Sequence, residues 1–119
     1  MQDFQQHRSG LNDAETSEIR QVAPGIRRQI AAYGSDLMPC RVWFDEGAVG
    51  DVHSHPHSQA TYIESGRFRI VIAGKERELG PGEAIHLPPH CPHGAVCLES
   101  GALLDAFSPA RADFLQEEG

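Results

Sequence analysis

Lysine is almost absent from this chain. Lys75 is the only one among ten basic residues, set against 17 acidic residues and a formal net charge of −7. Nucleic-acid binding needs a basic face to neutralise phosphates, so nucleic acid is not expected as a partner. The preference for arginine over lysine reads as a trait of genome composition. No apolar run approaches the ~18 residues that cross a bilayer as a helix, and no membrane partner is expected. Met1-Gln2-Asp3-Phe4-Gln5-Gln6 has neither a basic start nor an apolar stretch. No secretory signal is read there, and a cytoplasmic protein is expected. The three cysteines, Cys40, Cys91 and Cys97, are odd in number and form no CxxC pair. Reduced thiols follow from this, rather than a disulfide framework. A GxSxG elbow, a P-loop and a Rossmann fingerprint are also missing, and with them the usual marks of nucleophilic hydrolysis, phosphate transfer and dinucleotide binding.

What is present is a chain of 119 residues, 39% hydrophobic and 23% charged, which suits one folded domain. Residues 1–24 read as a polar N-terminal arm, in which Asn12 or Asp13 could cap a short helix. From Gly25 to Gly119, turn signals recur at Gly34-Ser35-Asp36, Asp45-Glu46-Gly47, Ser65-Gly66, Ala73-Gly74-Lys75, Gly80-Pro81-Gly82, Pro88-Pro89 and Glu99-Ser100-Gly101. The segments between them have strand length, about 5 to 9 residues. Several alternate: Phe68, Ile70 and Ile72 share one face, and so do Met38, Cys40, Val42 and Phe44. About nine short strands punctuated by Gly and Pro predict an all-β sandwich or barrel.

Six of the seven histidines fall between residues 53 and 93: His53, His55, His57, His86, His90 and His93. Histidine is the commonest metal-ligating side chain. The i, i+2 spacing of His53 and His55 puts both imidazoles on one face of a strand, which Pro56 then ends. His57 lies past that break. A hairpin would bring Gln59 back beside the pair. Pro88 and Pro89 forbid the helix that would make His86 and His90 a zinc-protease pair. His93 follows Pro92 at the start of an apolar run and is chosen as the remaining ligand, with His86 and His90 as its rivals. The spacing of Cys91 and Cys97 matches no standard zinc pattern.

These residues resemble a known family. Gly47, His53-x-His55, Gln59 and Gly66 are similar to the first cupin motif, with Gln59 where a glutamate is usual. Gly80-Pro81-Gly82-Glu83, Pro88 and Pro92-His93-Gly94 resemble the second, without its downstream Asn. The segments Arg27–Met38, His53–His57 and Leu104–Leu115 are similar to the KdgF-like cupins of pectin and alginate breakdown. The resemblance implies a double-stranded β-helix (jelly-roll) barrel. It also implies one divalent transition metal ion per chain (nickel, zinc, iron or manganese) on His53, His55, Gln59 and His93. It carries an active-site acid to Asp105 and an arginine to Arg111, with Phe107 nearby. The implied activity is linearisation of 4,5-unsaturated monouronates to open-chain keto-uronates. The alternatives are a cupin dioxygenase or small-acid lyase on the same ligands, or a non-catalytic cupin binding a sugar acid.

The residues themselves support that chemistry. Three imidazoles and an amide leave a divalent ion its full charge, and open positions would accept oxygens of a sugar acid. Opening a cyclic hemiacetal and ketonising the enol both require proton transfer. Asp105 alternates in step with Leu103 and Phe107, so it points inward if they do. Burial would raise its pKa, and metal or arginine charge would lower it. Arg111, just past Pro109, could grip a substrate carboxylate with two donors. A homodimer is also expected, paired through the segment from Ile26 to Phe44, with Trp43 on the face opposite Val42 and Phe44.

Overall fold

In Met38–Phe44, Met38, Cys40, Val42 and Phe44 are buried, while Arg41 is exposed. The same alternation runs through Ser58–Ile63, where Gln59, Thr61 and Ile63 are buried. A strand with one apolar face needs a second layer to cover it, and here two antiparallel sheets cover each other. The computed structural model describes residues 18–118; the start of the short helix expected at Asn12 or Asp13 lies outside this range. The elements are β1 (Arg20–Ala23), β2 (Ile26–Ile30), β3 (Met38–Phe44), β4 (Val49–His53), β5 (Ser58–Ile63) and β6 (Arg67–Ile72). They continue with β7 (Lys75–Leu79), β8 (Ala84–Leu87), β9 (His93–Glu99), β10 (Gly101–Ser108) and a C-terminal helix α1 (Ala112–Glu118).

One sheet has the order β1-β2-β3-β10-β5-β8 and the other β4-β9-β6-β7. This is the all-β jelly roll expected from the sequence. Strand β1 is an addition. It lies in the stretch assigned to the arm and pairs antiparallel with β2, so the sheet starts at Arg20 and not at Gly25.

The core lies between the sheets, with Phe68, Ile63 and Leu79 fully buried. Phe44 and Phe68 meet edge to face at 5.1 Å. Each such side chain contributes about 1.5–3 kcal/mol by leaving water. A second cluster of Ile30, Met38, Cys40 and Phe107 is covered by Phe114 and Leu115 of α1. Among the described residues, no helix is long and apolar enough to cross a membrane.

Candidate metal centre and its surroundings

Strand β4 carries an irregularity that aims His53. Val49 and Gly50 pair with Val96 and Ala95, but His53 pairs with His93, so β4 holds one extra residue. Such a bulge reverses the alternation beyond it. Gly50 and His53 can therefore both line the interior. Gly94 permits this close approach: a Cβ there would stand 2.9 Å from the Gly50 carbonyl oxygen and 3.0 Å from the Val52 nitrogen. His53 and His93 end with ring centroids 4.6 Å apart, and His55 lies 5.0 Å from His93.

One ring nitrogen from each of His53, His55 and His93 lies within 4.8 Å of the others, so the three are positioned to hold a metal ion. The hydrogen bonds select the nitrogen. His53 Nδ1 donates to the Asp51 carbonyl at 2.8 Å, and His93 Nδ1 to the Cys91 carbonyl at 2.9 Å. A carbonyl can only accept, so Nδ1 carries a hydrogen in both rings, and in the neutral imidazole Nε2 is the nitrogen with the free lone pair. A backbone carbonyl behind the imidazole is the usual support of a metal-binding histidine. Burial holds the His93 pKa below its ordinary value against the opposing Cys91 carbonyl; the neighbouring imidazoles and Arg111 lower it further. Its lone pair is thus available at neutral pH.

Gln59 offers a fourth donor, though not through a hairpin. Strand β4 belongs to one sheet and β5 to the other, so the chain crosses the barrel between His55 and Gln59. Gln59 Oε1 stands 2.8 Å from His55 Nε2. Two donors side by side on one ion with bonds of about 2.0–2.1 Å are separated by about 2.9–3.4 Å, close to this spacing. The amide orientation is set by its other end, since Nε2 donates to Thr61 Oγ1 and to Asp105 Oδ1, both at 3.0 Å. Oε1 is left facing the imidazoles. His55 Nδ1 is buried without a partner, so this ring lacks the carbonyl support of the other two.

Asp105 does face inward, opposite Thr61 on β5. The Thr61 hydroxyl donates to its Oδ1 at 2.6 Å. Burial raises the Asp105 pKa, opposed by the Thr61 and Gln59 bonds and by the charges of His53 and Arg111, and burial prevails. Arg111 lies in the same wall, its guanidinium 4.1 Å from the Phe114 ring centre and 4.9 Å from that of Phe107. The expected two-donor fork is already engaged: Nε and Nη2 donate to the two Asp113 carboxylate oxygens at 3.1 and 2.9 Å. This contact holds the Asp113 carboxyl below its ordinary pKa. A substrate carboxylate would use the other edge of the guanidinium or displace Asp113.

These groups surround a cavity of about 280 Å³. Its lining includes polar His53, Gln59, Thr61, His93, Asp105 and Arg111 and apolar Ile26, Val42, Phe44, Ile70 and Leu103. Phe107, buried, also lines it, 5.7 Å from the His55 ring. His86 and His90 are elsewhere: His86 bonds the Ser58 hydroxyl at 2.9 Å, and His90 occupies a left-handed turn, its N–H donating to the His55 carbonyl. His57 packs edge-on against His55 at 5.5 Å; burial lowers its pKa, helped by the positive Arg111.

Sequence reasoning missed Thr61, Asp113 and Phe114. Thr61 shares parity with Gln59 on β5, a signal that was there to use. The two residues on α1 became relevant only once the helix was placed against Arg111.

Comparison with known proteins agrees with this architecture. The Cupin domain family matches residues 41–105. The pectin degradation protein KdgF of Dickeya dadantii is 43% identical over 97 residues, covering 80% of this chain and 88% of that protein. Among solved structures, KdgF from a Halomonas species superposes with a TM-score of 0.81 at 42% identity, over 87% of this chain and 96% of that one. An RmlC-like cupin from Shewanella frigidimarina superposes with a TM-score of 0.82 at 40% identity, over 88% and 98%.

Proposed function

The chain belongs to the cupin family, and from that premise we propose that it is a metal-dependent enzyme of pectin and alginate breakdown. In this reading it converts cyclic 4,5-unsaturated monouronates to their linear keto forms. The similarity to the pectin degradation protein KdgF supports the pectin part of this reading. The observation that carries the chemistry is the joining of Asp105 to the metal-ligand set through the Gln59 amide.

His53, His55, Gln59 and His93 would hold one divalent ion, which when bound supplies Lewis acidity toward substrate oxygens. The remaining steps belong to the protein. Arg111 pairs with the sugar carboxylate, and Phe107 bounds the ring. Asp105 takes the proton from the anomeric hydroxyl as the aldehyde forms and the bond from C1 to the ring oxygen breaks. The electron pair of that bond stays on the ring oxygen, giving an enolate. The same carboxyl then returns a proton to C4 as the C5 ketone forms, so the reaction is a net isomerisation. A carboxyl whose pKa is raised by burial is better matched to both transfers near neutral pH than an exposed one. The dioxygenase alternative leaves the position of Asp105 without a use.

Asp105→Asn keeps the shape and an acceptor for Thr61 but removes the proton carrier. Turnover of unsaturated monouronates should fall by roughly 10²–10⁴ with metal content unchanged. Near-normal turnover with metal in place would remove Asp105 from the mechanism. The proposal includes a homodimer through the outer face of β2 and β3, where Arg41 lies 5.9 Å from the Trp43 ring centre. Light scattering should give twice the single-chain mass, and the single-chain mass would refute it.

A further inference from the structure

Asp105 has two carboxylate oxygens, and the structure treats them unequally. Alternation along β5 turns Gln59 and Thr61 inward, both buried. The register of β5 with β10 places Thr61 directly opposite Asp105. Gln59 Nε2 has two hydrogens. It donates to Thr61 Oγ1 and to Asp105 Oδ1, each at 3.0 Å. Because Thr61 Oγ1 accepts from the amide, its own hydrogen is directed onward, and it donates to the same Oδ1 at 2.6 Å. Two donors therefore converge on Oδ1. Among the described residues, no hydrogen bond ends on Oδ2.

We infer that Thr61 is a positioning residue: with the Gln59 amide it pins Oδ1 of Asp105 and reserves Oδ2 as the oxygen that exchanges protons with the substrate. The inference rests on the reading of Asp105 as the proton carrier and extends it to Thr61, a cavity-lining residue to which that reading gives no bond to metal or sugar. It also gives a reason for an amide at position 59. A glutamate there could hold a metal, but when ionised it could donate neither to Thr61 nor to Asp105. A carboxylate held at one oxygen has a fixed plane. The other oxygen then needs little reorganisation to meet the substrate proton.

The test compares Thr61→Val, Thr61→Ser and Thr61→Ala with Asp105→Asn, using unsaturated galacturonate and the metal-loaded protein. Thr61→Val removes the hydroxyl at nearly constant volume, so kcat should fall by roughly 10- to 100-fold, the weight of one hydrogen bond to a charged group. KM should stay within about twofold, because the residue does not bind ground-state sugar. Metal content should be unchanged. Thr61→Ser should restore kcat and Thr61→Ala should not, a contrast that isolates the hydroxyl even if the valine variant folds poorly. In infrared difference spectra against Asp105→Asn, the Asp105 carboxyl band should shift in Thr61→Ala and return in Thr61→Ser. Equal impairment of Thr61→Ser and Thr61→Ala would overturn the inference, since the methyl group would then be what matters. Loss of metal from the variants would overturn it too, by placing the effect on the ligands. If Asp105→Asn loses turnover while Thr61→Val and Thr61→Ala retain it, only this inference fails. If Asp105→Asn itself retains turnover, the proposed function fails with it.

Discussion

Replacing Gln59 with glutamate sets two demands on one side chain against each other. As a metal donor, a glutamate should be the stronger, because it brings negative charge to the ion. As a neighbour of Asp105 it should be damaging. Gln59 Nε2 now donates to Asp105 Oδ1 at 3.0 Å, and the second oxygen of the introduced carboxylate would stand in its place. Two carboxylates about 4 Å apart at an effective dielectric of about 20 repel by about 4 kcal/mol. The pair would then keep one proton at neutral pH. With the introduced glutamate ionised toward the metal, that proton resides on Asp105, which can no longer act as a base. Gln59→Glu should therefore retain or tighten metal binding in elemental analysis, yet lose at least roughly 10² in kcat, the scale of a lost general base. Full turnover by metal-loaded Gln59→Glu would refute the reasoning. It would show that Asp105 does not need a hydrogen-bond donor beside it.

Each of His53→Ala, His55→Ala and His93→Ala should remove most bound metal, while Gln59→Ala weakens it less, because a neutral amide oxygen is the poorest of the four donors; full occupancy of His93→Ala would contradict the assignment. Arg111→Lys retains charge but loses the planar fork, so KM should rise severalfold in steady-state assays, and an unchanged KM would remove Arg111 from carboxylate binding. Burial raises the folded-state pKa of Asp105. The unfolded chain therefore releases this proton first as pH climbs past about 3.9, and the Asp105 contribution to stability declines from there up through the folded-state value. Metal-free Asp105→Asn should consequently melt above the parent at pH 7, with the gap closing toward pH 3; a lower melting temperature at pH 7 would contradict this.

Much of the site was legible because period-two alternation reports facing directly. Leu103, Asp105 and Phe107 were placed on one face by parity, and the structure turns all three inward. The i, i+2 histidines and the proline-bounded His93 were likewise readable, since proline excludes the helical alternatives. What parity cannot report is which sheet a strand joins. Gln59 follows His55 closely in the chain, so a hairpin looked natural, yet the two approach from opposite walls of the barrel. Nor could it reveal the extra residue in β4, which depends on the missing Cβ of Gly94 across the sheet. The pKa direction of Asp105 needed the actual balance between burial and the donors around it. Arg111 looked free because its partner Asp113 is presented by a helix whose placement only the packing of Phe114 reveals. Strand β1 was hidden in a polar stretch, its short edge pairing leaving little hydrophobic pattern.

If the cavity opens an unsaturated uronate ring with a metal on His53, His55, Gln59 and His93, ring opening can be watched directly. The measurement follows the enol-ether absorbance of unsaturated galacturonate, and of the unsaturated monomer shared by mannuronate and guluronate, with metal-loaded and metal-stripped protein. The metal-loaded protein should remove the absorbance faster than buffer alone and yield the linear keto-uronate, and stripping the metal should abolish the difference. Decay at the buffer rate with fully loaded protein would contradict the account.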